Sequence, residues 1–298
     1  GDDGGGDHGD VLVSCVVTHY NRGRFLLQAV SSLLDQTHAN IEIIVVDDGS
    51  TCPDSLETLG ALEAEHAGNC EGRRPCVQVA RVANNYLGAA RNVGLRAARG
   101  AFVLFMDDDN YAKPHEVASF LKVMQRTGAD IAVCASEYLP SSLDPKEAFD
   151  ATLYRQETRK IHIPLGPSLA SGLFTNTFGD ANLMLRRSTC ADFSWPEDDA
   201  YSVQDWEVLA RESTRTALDV RLIPEALFYY RTTSTSMAQT ASVSSLSQFS
   251  DRLYMRSFLN ELPLGLGPLV PYIVQLREES LQIEQELEAS EGKNEMLR

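Results

Sequence analysis

From Val11 to Ala135, short apolar runs alternate with stretches whose apolar residues recur every three or four positions. The runs predict strands from Val11 to Val17, Ile41 to Val46, Val77 to Val82, Ala101 to Met106 and Asp130 to Ala135. Apolar residues at successive positions imply strands covered on both faces, as in a parallel sheet. Between them, Leu26, Val30, Leu33 and Leu34 mark one helix face. Ala90, Val93, Gly94 and Ala97 make a small-residue face on another helix, with Arg91, Arg96 and Arg99 directed elsewhere. Val117, Leu121 and Met124 mark a third helix, opening at Pro114 and stopping at Gly128. A short helix is expected from Leu56 to Glu65, followed by a polar loop to Pro75. This alternation predicts an α/β fold: a mostly parallel central sheet of Rossmann-like βαβ units with helices on both faces.

After Ser136 the pattern loosens. The stretch to Gly179 is loop-rich, with Pro140, Pro145, Pro164 and Pro167 and room for a short helix near Lys146 to Lys160. A strand from Ala181 to Leu185, a helix from Tyr201 to Arg211 and two short strands, Val220 to Ile223 and Ala226 to Arg231, build a smaller mixed portion. The Ser/Thr-rich stretch from Thr232 to Gln248 reads as flexible. From Pro271 to Arg298 the chain reads as a charged helix with Ile273, Leu276, Ile283 and Leu287 on one side. That pattern is too short for a coiled coil but could dock a partner chain or neighbouring domain. The expected partition is a disordered, Gly- and Asp-rich lead-in over 1–10, one half of a domain over 11–135, its second half over 136–240, and a helical extension over 241–298.

Composition narrows the function. The 298 residues are 43% hydrophobic, enough for a substantial core, and carry a formal charge of −16. Such a balance offers no basic face to nucleic acid or to an anionic membrane, so an anionic substrate would need a cation or a few placed arginines. Six cysteines contain no CxxC pair, and Cys15 and Cys134 lie in apolar runs; the set reads as free core thiols rather than a disulfide framework or zinc site. No apolar stretch approaches a membrane span and no signal-peptide pattern opens the chain. A cytoplasmic setting is therefore expected, although Gly1 in place of an initiator methionine leaves room for a removed upstream segment.

The chemistry concentrates where strands end. In open α/β sheets the carboxyl ends of the strands form the ligand edge. There the run from Ala101 to Met106 terminates in Asp107, Asp108 and Asp109, and the second strand ends in Asp47, Asp48 and Gly49. Three adjacent carboxylates repel one another unless a cation, arginines or water offsets them. A hard divalent ion held by one or two carboxylates and substrate phosphates would serve. The alternative is a solvated acidic turn.

With these residues placed, the chain resembles the family 2 glycosyltransferases of the GT-A fold. The resemblance rests on VVTHYNRGRFLLQAVSSLLDQT, IEIIVVDDGS and NNYLGAARNVGLRAARGAFVLFMDDDN, and more loosely on FGDANLMLRR, VQDWEVLAR and IPEALFYYR. It implies an inverting, metal-dependent transferase that moves a sugar from a nucleoside diphosphate donor, most naturally a UDP-sugar, to a hydroxyl of a saccharide or glycoconjugate. By position, Thr18 and Tyr20 would line the nucleobase and Asp47 would accept its hydrogen bonds, with Asp48, Arg22, Asn84, Gly88 and Arg91 in the same donor pocket. The triple aspartate matches the DxD signature, with Asp107 near the ribose and metal, Asp109 nearest a Mn²⁺ or Mg²⁺ ion, and Asp108 between. Asp205 falls where relatives carry the general base.

This chain departs from the family pattern in two ways. The acid that usually precedes the base is Gln204, which removes a like charge and should lower the Asp205 pKa unless burial raises it. No histidine follows His162, so the one that completes the metal site in some relatives is missing. His19 and His115 read as surface or capping residues, and Trp206 as either an acceptor platform or core. Arg231 and Ser236 could close over the diphosphate from a flexible stretch. Two other classes remain open: a sugar nucleotidyltransferase, although THYNRGR is no Gly-rich phosphate loop, and a catalytically silent domain that recruits partners. The missing GxGxxG after the first strand argues against a dehydrogenase.

Overall fold

Two strands, β1 (Val13–His19) and β2 (Ile41–Asp47), are buried along their whole length, their polar positions Ser14 and Glu42 included. They lie at the centre of one half of the sheet in a computed structural model that describes residues 11–67, 74–140, 160–167, 172, 176–197, 204–216, 218–232 and 278. The chain continues from β1 through α1 (Gly23–Leu34), β2, α2 (Pro53–Glu65), β3 (Cys76–Arg81), α3 (Tyr86–Ala97) and β4 (Phe102–Asp107). Then follow β5 (Tyr111–Ala112), α4 (Glu116–Thr127), β6 (Ile131–Pro140), β7 (Ile161–His162) and β8 (Leu183–Arg186). Helix α5 (Gln204–Arg211) runs into a single π-helical turn (Glu212–Thr216), and β9 (Val220–Thr232) ends the described fold.

Among the described residues the strands form one sheet in the order β3-β2-β1-β4-β8-β6-β9-β5, with β7 paired to β6. Strands β3, β2, β1 and β4 are mutually parallel. Strand β8 runs against both β4 and β6, which restores the direction of β6 and its parallel neighbour β9. The sheet is thus mostly parallel, with mixed pairing confined to its second half. Strand β9 is one element where two short strands were expected. Its pairing with β6 slips around Pro224, with Ile223 opposite Cys134 and Ala226 opposite Ala135. Proline donates no ladder hydrogen bond, so the strand bulges there and resumes.

Strand alternation distributes the core to both faces. Val13, Cys15 and Val17 of β1 join Leu26, Val30 and Leu33 of α1 and Val117, Leu121 and Met124 of α4 on one side. Val16 packs with Ala90 of α3, Phe105 of β4 and Trp195 on the other. Each fully buried Leu, Val or Phe contributes about 1.5–3 kcal/mol. Gly128, in a left-handed conformation with φ 74°, ends α4 as expected. Not all of the expected α3 face faces inward. Ala97 is exposed while Arg91 is buried at 3% exposure. The buried acid Glu42 also went unforeseen; it accepts hydrogen bonds from Ser14 and from the backbone and guanidinium of Arg99.

The cysteines correct another expectation. Cys15, Cys52, Cys134 and Cys190 are free thiols. Cys76, however, is disulfide-bonded, and Cys70 lies outside the described residues. The argument from apolar runs holds for Cys15 and Cys134, on inner strands, but not for Cys76, at the start of edge strand β3 directly after a polar loop. The lead-in, the helix near Lys146 to Lys160, Ser236 and the tail from Pro271 to Arg298 also lie outside the described residues, except Glu278. Among the described residues no helix is long and apolar enough to cross a membrane.

Candidate active site

Asp107 is the last residue of β4, and Asp108 and Asp109 form the turn that follows it. Phe105 packs on the α3 side and Met106 on the α1 side. Asp107 accepts a 2.7 Å hydrogen bond from the Arg91 guanidinium of α3, with the Thr18 hydroxyl at 3.4 Å. Asp108 lies 2.6 Å from His19 Nδ1 and 3.3 Å from the Tyr20 backbone N–H, with Arg22 at 3.5 Å. Asp109 pairs with Arg22 at 2.6 Å. Two arginines and a histidine thus offset the acidic cluster, and among the described residues no three His, Cys, Asp or Glu side chains converge as a metal cage.

Neutralisation is incomplete at Asp109. Burial and the neighbouring Asp108 push its carboxyl up to about 7, against the pull of Arg22. Its backbone carbonyl accepts a 3.2 Å bond from Arg231 Nε, and Arg231 also donates to Gln28 at 2.7 Å and lies over the Phe25 ring. Arg231 is therefore not part of a flexible closing stretch. It sits in β9, buried, and supports the aspartate turn from below. His19 is a second correction: it is fully buried rather than a surface or capping residue, because one step beyond Thr18 it turns to meet Asp108. Among the described residues its Nε2 has no hydrogen-bond partner. His115, by contrast, is the exposed residue preceding α4, paired with Glu225 at 3.1 Å.

The neighbouring turns interlock. Asp47 Oδ1 accepts the Ser50 backbone N–H at 3.1 Å and closes the turn after β2. Asp48 reaches across to the turn after β3, where it accepts from the Asn85 backbone N–H at 2.8 Å and the Asn84 side-chain amide at 3.2 Å. Tyr20 stands beside them with 48% exposure, leaving its ring available for stacking. Thr18, Tyr20, Arg22, Asp47, Asp48, Asn84, Arg91 and the three aspartates therefore occupy one edge, as strand ends require.

Gly88 explains how the second half reaches that edge. A Cβ there would stand 1.7 Å from the Pro196 carbonyl oxygen, so residues 195–197 can lie directly on α3. Asn92 clamps them, donating to the Trp195 carbonyl at 2.9 Å and accepting its N–H at 2.8 Å. The Trp195 ring then lies under the Arg91 guanidinium, 4.5 Å from its centroid. The same contact that joins the halves aims Arg91 at Asp107.

Across the edge, Asp205 is the second residue of α5. Burial raises its carboxyl above the usual range, partly countered by the Trp206 N–H and by Arg91. Burial thus opposes the lowering expected from Gln204. Asn176 donates to Asp205 Oδ2 at 3.0 Å. Glu207 is not part of this group, being held by Arg211 at 2.8 Å. Trp206 packs partly on the core and donates to the Gly172 carbonyl, closer to the core reading than to an open platform. The sequence reading missed Asp180, which burial and the charges of Asp205 and Asp107 push up to about 7. Its one signal was an acid directly before the apolar run of β8. Asp107, Asp180, Asp205 and Arg91 thus act on one another electrostatically, although they come from four separate segments.

Residues 14–179 match the family model described as glycosyl transferase family 2. The chain belongs to that family. An uncharacterized glycosyltransferase of Nostoc sp. is 37% identical over 113 residues, 38% of this chain and 33% of the relative. The uncharacterized glycosyltransferase EpsJ of Bacillus subtilis is 28% identical over 242 residues, 76% of this chain and 63% of the relative. The chain therefore spans from a third to under two thirds of these family members. Among solved structures, S. aureus TarS 1-349 in complex with UDP-GlcNAc superposes with TM-score 0.60 at 19% identity, over 84% of this chain and 67% of that one. The mannosyltransferase PcManGT from Pyrobaculum calidifontis, in complex with GDP-Man and Mn²⁺, gives 0.57 at 13% identity, over 87% and 67%. These likenesses establish the shared GT-A fold.

Proposed function

We propose that the chain is an inverting glycosyltransferase that takes its sugar from a nucleoside diphosphate donor, with a UDP-sugar as the first candidate, and delivers it to a hydroxyl of a saccharide or related acceptor. The observation that carries this reading is that Asp205, from a separate helix, lies within electrostatic reach of Asp107 and of Arg91, which itself pairs with Asp107 at 2.7 Å. Family membership supports the reaction class, and the UDP-GlcNAc and GDP-Man bound to the two solved neighbours support the donor class.

The residues suit a divalent ion. A Mg²⁺ or Mn²⁺ site needs only one or two carboxylates when substrate phosphates complete it, and Asp109, raised first by burial and then by the neighbouring charges of Asp108 and Asp107, is a carboxylate whose ionised form a cation would favour. Asp107 and Asp109 would hold the ion, which would supply Lewis-acid neutralisation of the departing diphosphate. The remaining work falls to this chain's own groups. Tyr20 offers a face to the base, Asp47 and Asp48 accept from it, and Arg91 keeps a positive charge beside the leaving group. Asp205 takes the proton from the acceptor hydroxyl, whose oxygen attacks the anomeric carbon opposite the diphosphate and inverts it. The raised Asp205 pKa favours that transfer, because a base works best when its pKa approaches the working pH.

The test is a panel of UDP-GlcNAc, UDP-glucose, UDP-galactose and GDP-mannose, scored by release of the nucleoside diphosphate with Mn²⁺ and with water or added saccharide as acceptor. Release from one nucleotide class, lost on chelation, is the expected result. Asp109→Ala should weaken manganese-dependent UDP binding roughly ten-fold or more, as loss of a metal ligand or its close support does. If manganese leaves UDP affinity unchanged in the unsubstituted chain, the metal assignment is wrong.

A further inference from the structure

Helix α5 places Asp205 at the edge and holds its carboxylate in part through its own N–H groups, that of Trp206 among them. A side chain from another segment adds a second hold from outside the helix. Asn176 Nδ2 donates to Asp205 Oδ2 at 3.0 Å and to the Gly179 carbonyl at 3.0 Å. Its Oδ1 accepts the backbone N–H groups of Phe178 at 3.2 Å and Gly179 at 3.4 Å. An amide whose oxygen faces two N–H donors cannot turn over without setting its own NH₂ against them, so the end that meets the carboxylate is the donor end. Both hydrogens are used. The clamp is itself anchored, since Phe178 is fully buried in the core on the α3 side. Gly179, with φ 141°, adopts a conformation that L side chains rarely take, and a Cβ there would stand 3.1 Å from Val133 of β6.

We propose that Asn176 is a positioning residue for Asp205, holding one carboxylate oxygen so that the group presents a fixed plane to the acceptor and stays ionised despite its burial. A hydrogen bond to the charged form favours that form, and a base held in one orientation avoids the loss that misplacement causes. The inference rests on the reading of Asp205 as base. Its geometry is independent of that reading.

Asn176→Ser keeps a short side chain able to cap the loop, but one that cannot also reach Asp205. Carboxyl ¹³C NMR of the whole chain, with the Asp205 resonance identified by its loss in Asp205→Asn, reads the contact without any donor. The titration midpoint should move to higher pH by about half a pH unit or more in Asn176→Ser. Release of UDP from UDP-GlcNAc or of GDP from GDP-mannose should fall about ten-fold in kcat, while the Kd for UDP stays within about two-fold. An unmoved midpoint overturns the proposal, as does a fall in kcat accompanied by an equal loss of UDP binding, which would mark Asn176 as merely structural. If Asp205→Asn itself retains full turnover, the base reading fails instead, and the NMR shift still reports whether Asn176 holds that carboxylate.

Discussion

The two halves of the ligand edge are built differently. On the side proposed for the donor, three parallel strands, β1, β2 and β4, deliver the tyrosine and the acids directly at their carboxyl ends. On the acceptor side the sheet is mixed, and Asn176, Asp180 and Asp205 come from connecting segments and the start of one short helix. The donor half thus obtains its acids and its tyrosine from sheet topology, while Arg91 is held at it by contact with the second half and Arg231 reaches it from there. The acceptor half must be assembled by contacts such as Gly88 against Pro196 and Asn176 against Asp205. Failure should accordingly take different forms in the two halves.

The largest expected effect sharpens that contrast. Asp205→Asn should lower turnover by about 10³-fold, within the range general bases supply, while UDP binding stays as it was. Equal losses of both would mean that the two sides are not functionally separate. Arg91→Ala comes next, because Arg91 belongs to both sides. It should cost roughly 10² in kcat/KM, the scale of removing a charged donor beside a developing anion, and a loss confined to KM would reassign it to donor binding alone. Gly88→Ala tests the seam: with no room for a Cβ, thermal or denaturant unfolding should show about 1–3 kcal/mol lost to overpacking, and an unchanged Tm would mean that residues 195–197 rest loosely on α3.

A last test concerns a buried acid away from the seam, with no direct part in turnover. Burial pushes Glu116 up to about 8, against the hydrogen bond from Asn182 and the charge of Lys113. In the unfolded chain it ionises near the ordinary glutamate value, about 4.3. Between that pH and about 8 the folded state retains a proton that the unfolded state has lost, so this group's contribution falls as pH rises and is gone above the folded value. Glu116→Gln should flatten that decline, making the variant more stable relative to the unsubstituted chain at pH 9 than at pH 4. Parallel stability curves for the two proteins would show that Glu116 ionises normally.

How much was legible follows from the same contrast. The apolar runs located β1, β2, β3, β4 and the start of β6, and strand-end logic located Asp47, Asp48 and Asp107 to Asp109 on one edge. What the runs concealed was partnership. His19 looked like a turn residue because nothing along the chain joins it to Asp108, 89 positions away. Arg91 looked set apart from the packed face of its helix because helix periodicity does not record that Trp195 supplies a ring beneath it. Arg231 looked like the end of a short strand and part of the serine- and threonine-rich stretch after it, because nothing along the chain joins it to the Asp109 carbonyl.

By itself the sequence determined the layers of the sheet, the edge at which the candidate site residues gather, and the order in which its acids arrive, since these follow from local periodicity and from where apolar runs stop. Tertiary structure alone decided which carboxylate is neutralised by which cation, which stays raised toward neutral pH, and which side chain meets Asp205 from outside its own helix. Those properties depend on through-space distance and burial, and residues far apart in the chain set both.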